Sequence, residues 1–141
     1  MWSNEPIFAY NVNYSNIPSG YVRFSITSVC NMNCDYCHNE GNHSIDELSI
    51  DNILLIVDKI MKYGVRRIGL AGGEPLMHKD IEEICHNIKN KYPHITLRIN
   101  TNGVEIDTLL RLITLGYIEK VTFGVDYFDE QIPLVYHQRK Y

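Results

Sequence analysis

The segment Cys30-Asn31-Met32-Asn33-Cys34-Asp35-Tyr36-Cys37 sets three cysteines in the pattern C-x3-C-x-Tyr-C. An odd number of thiols this close together does not make a disulfide framework, but it can wrap one face of a metal or cluster. A cubane iron–sulfur cluster takes one cysteine per iron, four in all. Three local cysteines leave one iron open, which suits a [4Fe–4S] cluster that binds a ligand. Two plainer uses exist. One is a Cys3His zinc site completed by His38 or His43, although zinc pairs are usually spaced C-x2-C and the first gap here is three. The other is a redox C-x-x-C made by Cys34 and Cys37 alone.

The sequence around this stretch reads as alternating strands and helices. Tyr21 to Thr27 alternates and is rich in β-formers, so the cysteine loop leaves the carboxyl end of a first strand. Residues 38–48 continue as a polar loop. Ser49 then has the character of an N-cap, with Ile50, Ile53, Leu54, Val57, Ile60 and Met61 at helical spacing and Gly64 as a C′ residue. A second strand, Arg67 to Ala71, exits into Gly72-Gly73-Glu74-Pro75. A helix comes next over Asp80 to Lys91, stopped by Pro93. Thr96 to Asn100 is a third strand running into Thr101-Asn102-Gly103. Asp107 to Leu115 is a third helix closed by Gly116, and Lys120 to Val125 is a fourth strand leading to Asp126. Four strands with helices between them imply parallel βαβ units. Residues 1–20 form an irregular lead-in with Phe8, Tyr10 and Tyr14, and residues 21–141 one core domain without linker or repeat.

Composition narrows the class. The chain has 141 residues, 45% apolar and 21% charged, with a net charge of −4, as in an ordinary soluble domain. No basic run suggests nucleic acid, and the longest aliphatic run, Ile53 to Val57, is too short to span a bilayer. Clustered cysteines favour a reducing compartment, so a cytoplasmic location is expected.

In parallel α/β folds chemistry gathers at the carboxyl ends of strands. Here each strand exits into cysteines, Gly-Gly-Glu-Pro, Thr-Asn-Gly or Asp126. Gly72 and Gly73 permit close backbone approach, and Glu74 can pair with an ammonium group. Each motif alone has a plainer use. Gly-Gly-Glu-Pro can be a strand–helix turn, Asn-Gly a common turn, and Asp126 a cap, although it could also hold a ribose hydroxyl. His38 and His43 fit solvated loop positions, and Cys85 fits a buried thiol on an apolar helix face.

Taken together, C-x3-C-x-Tyr-C after one strand and Gly-Gly-Glu-Pro after the next resemble the radical S-adenosylmethionine (SAM) superfamily, from about Tyr21 to Asp126. The resemblance implies an α/β fold, a partial (β/α) barrel of about four parallel strands with helices outside. It implies that Cys30, Cys34 and Cys37 ligate three irons of a [4Fe–4S] cluster while SAM chelates the fourth. Tyr36 would lie against the adenine. Gly72, Gly73 and Glu74 would receive the methionyl ammonium, and Asn102 and Asp126 stand where other SAM contacts are found. The implied activity is reductive cleavage of SAM to a 5′-deoxyadenosyl radical that abstracts hydrogen from a substrate, fed by an electron donor such as a flavodoxin or ferredoxin.

Within the superfamily, Arg23-Phe-Ser-Ile-Thr, Tyr36-Cys-His-Asn-Glu-Gly and Gly72-Gly-Glu-Pro-Leu look most like the GTP cyclase group of molybdopterin biosynthesis. Arg23 falls where that group uses an arginine on its substrate. Gly69 and Gly124 depart from it, replacing an arginine on substrate and a serine on SAM. Peptide-modifying members share the same early motifs. The chain ends at Tyr141, so the later strands, the later adenine-supporting motif and the C-terminal cysteines of the cyclase are expected to be missing. A second chain or a homo-oligomer is then expected to complete the barrel. The alternative from another class is a non-catalytic, truncated cluster- or zinc-binding module acting through a partner chain.

Overall fold

The computed structural model describes residues 20–34, 37 and 46–124. The lead-in up to residue 19, Tyr36, His38, His43 and Asp126 lie outside the described residues. The elements, in order, are β1 (Tyr21–Thr27), α1 (Ile50–Met61), β2 (Arg67–Gly72), a 3-10 turn (Pro75–Met77), α2 (Ile81–Lys91), β3 (Thr96–Thr101), α3 (Ile106–Thr114) and β4 (Lys120–Phe123).

Local chemistry explains the boundaries. The Ser49 hydroxyl accepts from the amide of Asn52 and caps α1, with Asp51 in the first turn and Lys59 in the last complementing the helix dipole. Asp80 stands at the N-cap of α2 without a side-chain cap bond, and Glu82 and Glu83 supply the negative charge of that first turn. The helix therefore starts one residue later than its sequence suggests. The third helix is displaced by one residue the other way, beginning at Ile106. The 3-10 turn was not expected. It forms because Pro75 pre-sets the first helical position and the Glu74 carboxylate accepts from the Leu76 amide.

All three strand pairs are parallel, and spatial order matches chain order, β1-β2-β3-β4. Right-handed crossovers without a reversal of strand order put every helix on the same side of the sheet. Ile26, Ile68, Leu70, Leu97 and Ile99 from the strands form one core with Ile53, Val57, Ile84, Ile88, Leu109 and Leu112 from the helices. Cys85 is part of that core, as expected of a structural thiol, and burial pushes its pKa up to about 12. The alternate residues of each strand, Arg23, Arg67, Arg98 and Lys120 among them, occupy the opposite face. A sheet apolar on one face and polar on the other is the wall of a partial (β/α) barrel. Among the described residues no helix is long and apolar enough to cross a membrane.

Leu97 is wholly buried in β3, whereas Leu110 on α3 is 53% exposed. Leu97→Ala is expected to lower stability by about 2–5 kcal/mol. Leu110→Ala should stay within about 0.5 kcal/mol. Urea unfolding of the two variants measures the difference.

Candidate active site

The β1–β2 ladder runs regularly from Tyr21 to Ser25, then shifts so that Thr27 pairs with Gly72. Such an irregularity bends a strand and re-aims the chain beyond it, which here is the cysteine loop. Backbone bonds carry the pairing past the strand end. The Gly73 amide donates to the Thr27 carbonyl (2.8 Å) and the Glu74 amide to that of Val29 (2.7 Å). Gly72 has φ +149, and a Cβ there would lie 2.3 Å from the Thr27 oxygen; at Gly73 it would lie 2.4 Å from the Val29 oxygen. The close approach expected of these glycines is thus made to the stem of the cysteine loop. The returning chain holds the stem from the other side. The Ser28 amide donates to the Asp46 carbonyl, and the Leu48 amide to that of Ile26.

Glu74 is 1% exposed. Its Oε1 accepts from the Leu76 amide (3.2 Å) and the Thr101 hydroxyl (2.8 Å), and its Oε2 from the Asn102 amide (2.8 Å). A carboxylate offers about four acceptor directions, so three protein donors leave one, on Oε2, for a ligand. The side chain therefore clamps the ends of β2 and β3 together before it does anything else. Desolvation by burial raises its pKa above the ordinary 4.5, and the three hydrogen bonds oppose the rise.

Asn102 reaches the cysteine loop directly. Its Nδ2 donates to Asn31 Oδ1 (2.7 Å), its Oδ1 accepts from the Val104 amide, and Asn31 Nδ2 donates in turn to Glu105 (3.4 Å). Its side-chain amide is thus engaged by protein on both ends, which makes it a brace for the loop between Cys30 and Cys34. Cys30 Sγ accepts from the Met32 amide (3.4 Å). The Cys37 amide closes a turn on the Cys34 carbonyl (3.0 Å).

Cys30, Cys34 and Cys37 are all outside disulfides and half-buried. They line one cavity of about 310 Å³ together with Arg23, Gly72, Gly73, Glu74 and Asn102. The structure therefore brings together every proposed site residue that falls among those described. Clefts of about 440 and 400 Å³ near Lys79 and Glu83 are larger but contain none of these residues. Among the described residues no three His, Cys, Asp or Glu side chains are grouped as ligands of a single ion. A cubane places its cysteines on separate irons, and the three thiols open on the same cavity.

Sequence reasoning missed His78. It is buried; its Nε2 donates to the Leu48 carbonyl (2.8 Å) and its Nδ1 accepts from the Asp80 amide (3.1 Å). These bonds fasten the start of α2 to the strap that holds the cysteine stem, and Glu47 Oε2 lies 3.4 Å from Nδ1. Only its place three residues after Pro75 hinted at it. Asn31 and Thr101 were missed because their partners, Asn102 and Glu74, lie in other loops.

Glu74→Gln must turn an N–H toward one of three donors, and is expected to lower stability by about 1–3 kcal/mol. The pH dependence has a definite sign. A carboxyl whose folded pKa is raised binds more protons folded than unfolded between 4.5 and its folded value, so its contribution to stability falls as pH rises through that window. The stability difference between wild type and Glu74→Gln, tracked by denaturant titration across acidic pH, should therefore shrink as pH rises through that window. A difference independent of pH would show that Glu74 keeps its ordinary pKa.

Comparison with known proteins agrees with this geometry. The family model of the radical SAM superfamily matches residues 24–141. A probable GTP 3′,8-cyclase of Methanococcus aeolicus is 36% identical over 116 residues, 79% of this chain and 38% of the relative. That of Methanocaldococcus jannaschii is 33% identical over 113 residues, again 79% and 38%. The GTP 3′,8-cyclase of Clostridium perfringens strain 13 is 31% identical over 115 residues, 78% of this chain and 35% of the relative. The chain thus spans little more than a third of the length of these relatives. Three thiols on one cavity wall, a Gly-Gly-Glu turn locked against their loop and a one-sided parallel sheet accord with the family match: the chain belongs to the radical SAM superfamily.

Proposed function

We propose that this chain holds a [4Fe–4S] cluster and SAM and takes part in radical generation by reductive SAM cleavage. The carrying observation is the single cavity that Cys30, Cys34 and Cys37 share with Gly72, Gly73 and Glu74. When bound, the cluster supplies the electron that cleaves SAM to methionine and a 5′-deoxyadenosyl radical for hydrogen abstraction.

The chain's own residues position and shield. The thiolates of Cys30, Cys34 and Cys37 would hold the cluster and leave one iron open for SAM. Glu74 offers its remaining Oε2 direction to the methionyl ammonium, with charge assistance. Asn102 acts mainly through Asn31, keeping the first turn of the cysteine loop in place. By their place in the motifs, Tyr36 and Asp126 are proposed as further residues for SAM, Tyr36 for its adenine. The electron comes from a small protein donor of flavodoxin or ferredoxin type, in the cytoplasm. A second chain or second copy that completes the barrel would keep water from the radical.

Anaerobic reconstitution and then electron paramagnetic resonance test this. The reduced protein is expected to show a [4Fe–4S]⁺ signal that changes when SAM is added, and to release 5′-deoxyadenosine. Cys30→Ala, Cys34→Ala and Cys37→Ala should each abolish that release. A cluster indifferent to SAM, or zinc in place of iron, would overturn the proposal in favour of a non-catalytic module.

A further inference from the structure

The buried ring of His78 stands outside the cysteine cavity, yet it is tied to the stem of the cysteine loop. The strap lies antiparallel to the end of β1, with Glu47 bridged to Thr27. Backbone bonds flank that bridge, from Leu48 to Ile26 (2.9 Å) and from Ser28 to Asp46 (2.8 Å). The Ser28 hydroxyl also accepts from the Asp46 amide (2.8 Å). Residues 46–48 therefore hold residues 26–28, directly before the first cysteines. His78 follows the 3-10 turn and reaches this strap through Nε2, which donates to the Leu48 carbonyl (2.8 Å).

The other ring nitrogen faces two groups with opposite demands. The Asp80 amide donates to Nδ1 at 3.1 Å, and Glu47 Oε2 lies 3.4 Å from the same atom. An imidazole nitrogen offers either a lone pair or a hydrogen, so Nδ1 serves one of these neighbours at a time. Bare, it takes the Asp80 amide, and the ring makes one bond to the strap. Protonated, it donates to Glu47 with charge assistance, and both ring nitrogens then hold the strap. The His78 side chain is wholly shut off from solvent, so a charge on it needs a protein partner. The charged groups around the neighbouring cleft of about 440 Å³ are Glu47 from the strap, Asp51 from α1, and Lys79, Asp80 and Glu83 from the start of α2. Among the described residues Glu47 is the carboxylate that meets the ring. Its Oε2 also accepts from the Lys79 amide (3.4 Å), which keeps it beside Nδ1 in either state. Asp80 lines the same cleft, so water is at hand for the amide that a protonated ring releases.

We propose that His78 is a proton-operated latch on the stem of the cysteine loop. Taking up a proton from solvent at Nδ1, the ring exchanges the Asp80 amide for Glu47 and tightens the strap 46–48 on residues 26–28. Returning the proton loosens the strap. His78 acts through the strap and touches none of the cysteines, so it is a positioning residue. That the stem it steadies carries a cluster rests on the radical SAM proposal above; the latch itself does not. On that reading the latch regulates how firmly the three thiolates are presented, with the acid side the firmer.

The test follows the full chain, labelled with nitrogen-15 and without cluster, by magnetic resonance from about pH 5 to 8, the span in which histidines exchange a proton. Ring nitrogen signals report the state of Nδ1. Amide hydrogen exchange, corrected for its intrinsic pH dependence, reports the two competing sets of bonds. On passing from the neutral to the protonated ring, protection of the Leu48 amide is expected to rise about tenfold, the scale of one charged hydrogen bond. Protection of the Asp80 amide should fall. Glu47→Gln keeps the length of the side chain without its charge and should remove the rise at Leu48. His78→Gln keeps a donor for the Leu48 carbonyl but takes up no proton, so both protections should become independent of pH. Glu47→Gln decides the matter alone if circular dichroism shows that His78→Gln does not fold. A ring that keeps one protonation state across the range would overturn the latch. So would protections that do not move in opposite directions, or a Leu48 response retained in Glu47→Gln. Reconstituted wild type separates the two proposals. A SAM-responsive cluster without the reciprocal change in protection sinks the latch alone. The reciprocal change beside a cluster indifferent to SAM removes the radical SAM proposal and leaves the latch standing.

Discussion

Two backbone hydrogen bonds, from Gly73 to Thr27 and from Glu74 to Val29, set the position of almost everything else at the carboxyl edge of the sheet. They join the end of β1 to the turn after β2 at a separation that leaves no room for a Cβ on either glycine. Because the contact is between main chains, it fixes the stem of the cysteine loop without depending on any rotamer. The strap from Asp46 to Leu48 closes the other side of the stem. A loop that must present three thiols to one object needs both ends held, since every residue it orders costs conformational entropy.

A second layer of the site consists of side chains that brace one loop against the next. Glu74 ties the second loop to the third strand through Thr101 and Asn102, and Asn102 ties that strand to the cysteine loop through Asn31. A buried carboxylate is tolerable here because three donors meet it. The same arrangement limits its use toward a ligand to one remaining direction. Glu74 and Asn102 are therefore first of all parts of the frame, and any contact they make with SAM is added to that duty.

The sheet separates two environments. Its helix side is an apolar core with ion pairs at the rim, while its open side is polar and basic, with Tyr21 set between Arg67 and Arg98. This difference comes from strand alternation alone. Leu97, Ile99 and Thr101 point one way, and Thr96, Arg98 and Asn100 the other. A one-residue slip of any strand would bury the guanidiniums and expose the core, so the core and the polar face depend on the same periodicity.

Periodic and local features were legible in the chain itself. Alternation marked the strands, 3.6-residue spacing marked the helices, and the cysteine spacing together with Gly72-Gly73-Glu74 marked both the site and the family. These signals are carried by neighbours in sequence, and most element ends fell within a residue or two of their expected places. The 3-10 turn escaped because its cap is a carboxylate, Glu74, that the sequence pointed toward a ligand. What the tertiary structure decided was pairing. Asn31 and Asn102 are 71 positions apart, and nothing in either's neighbourhood announces the other. Arg23, Arg98 and Lys120 form a row only once parallel registry aligns them across Gly69. Composition specifies which groups exist, but which of them meet depends on strand order and register, and those emerge only when the apolar faces are buried together.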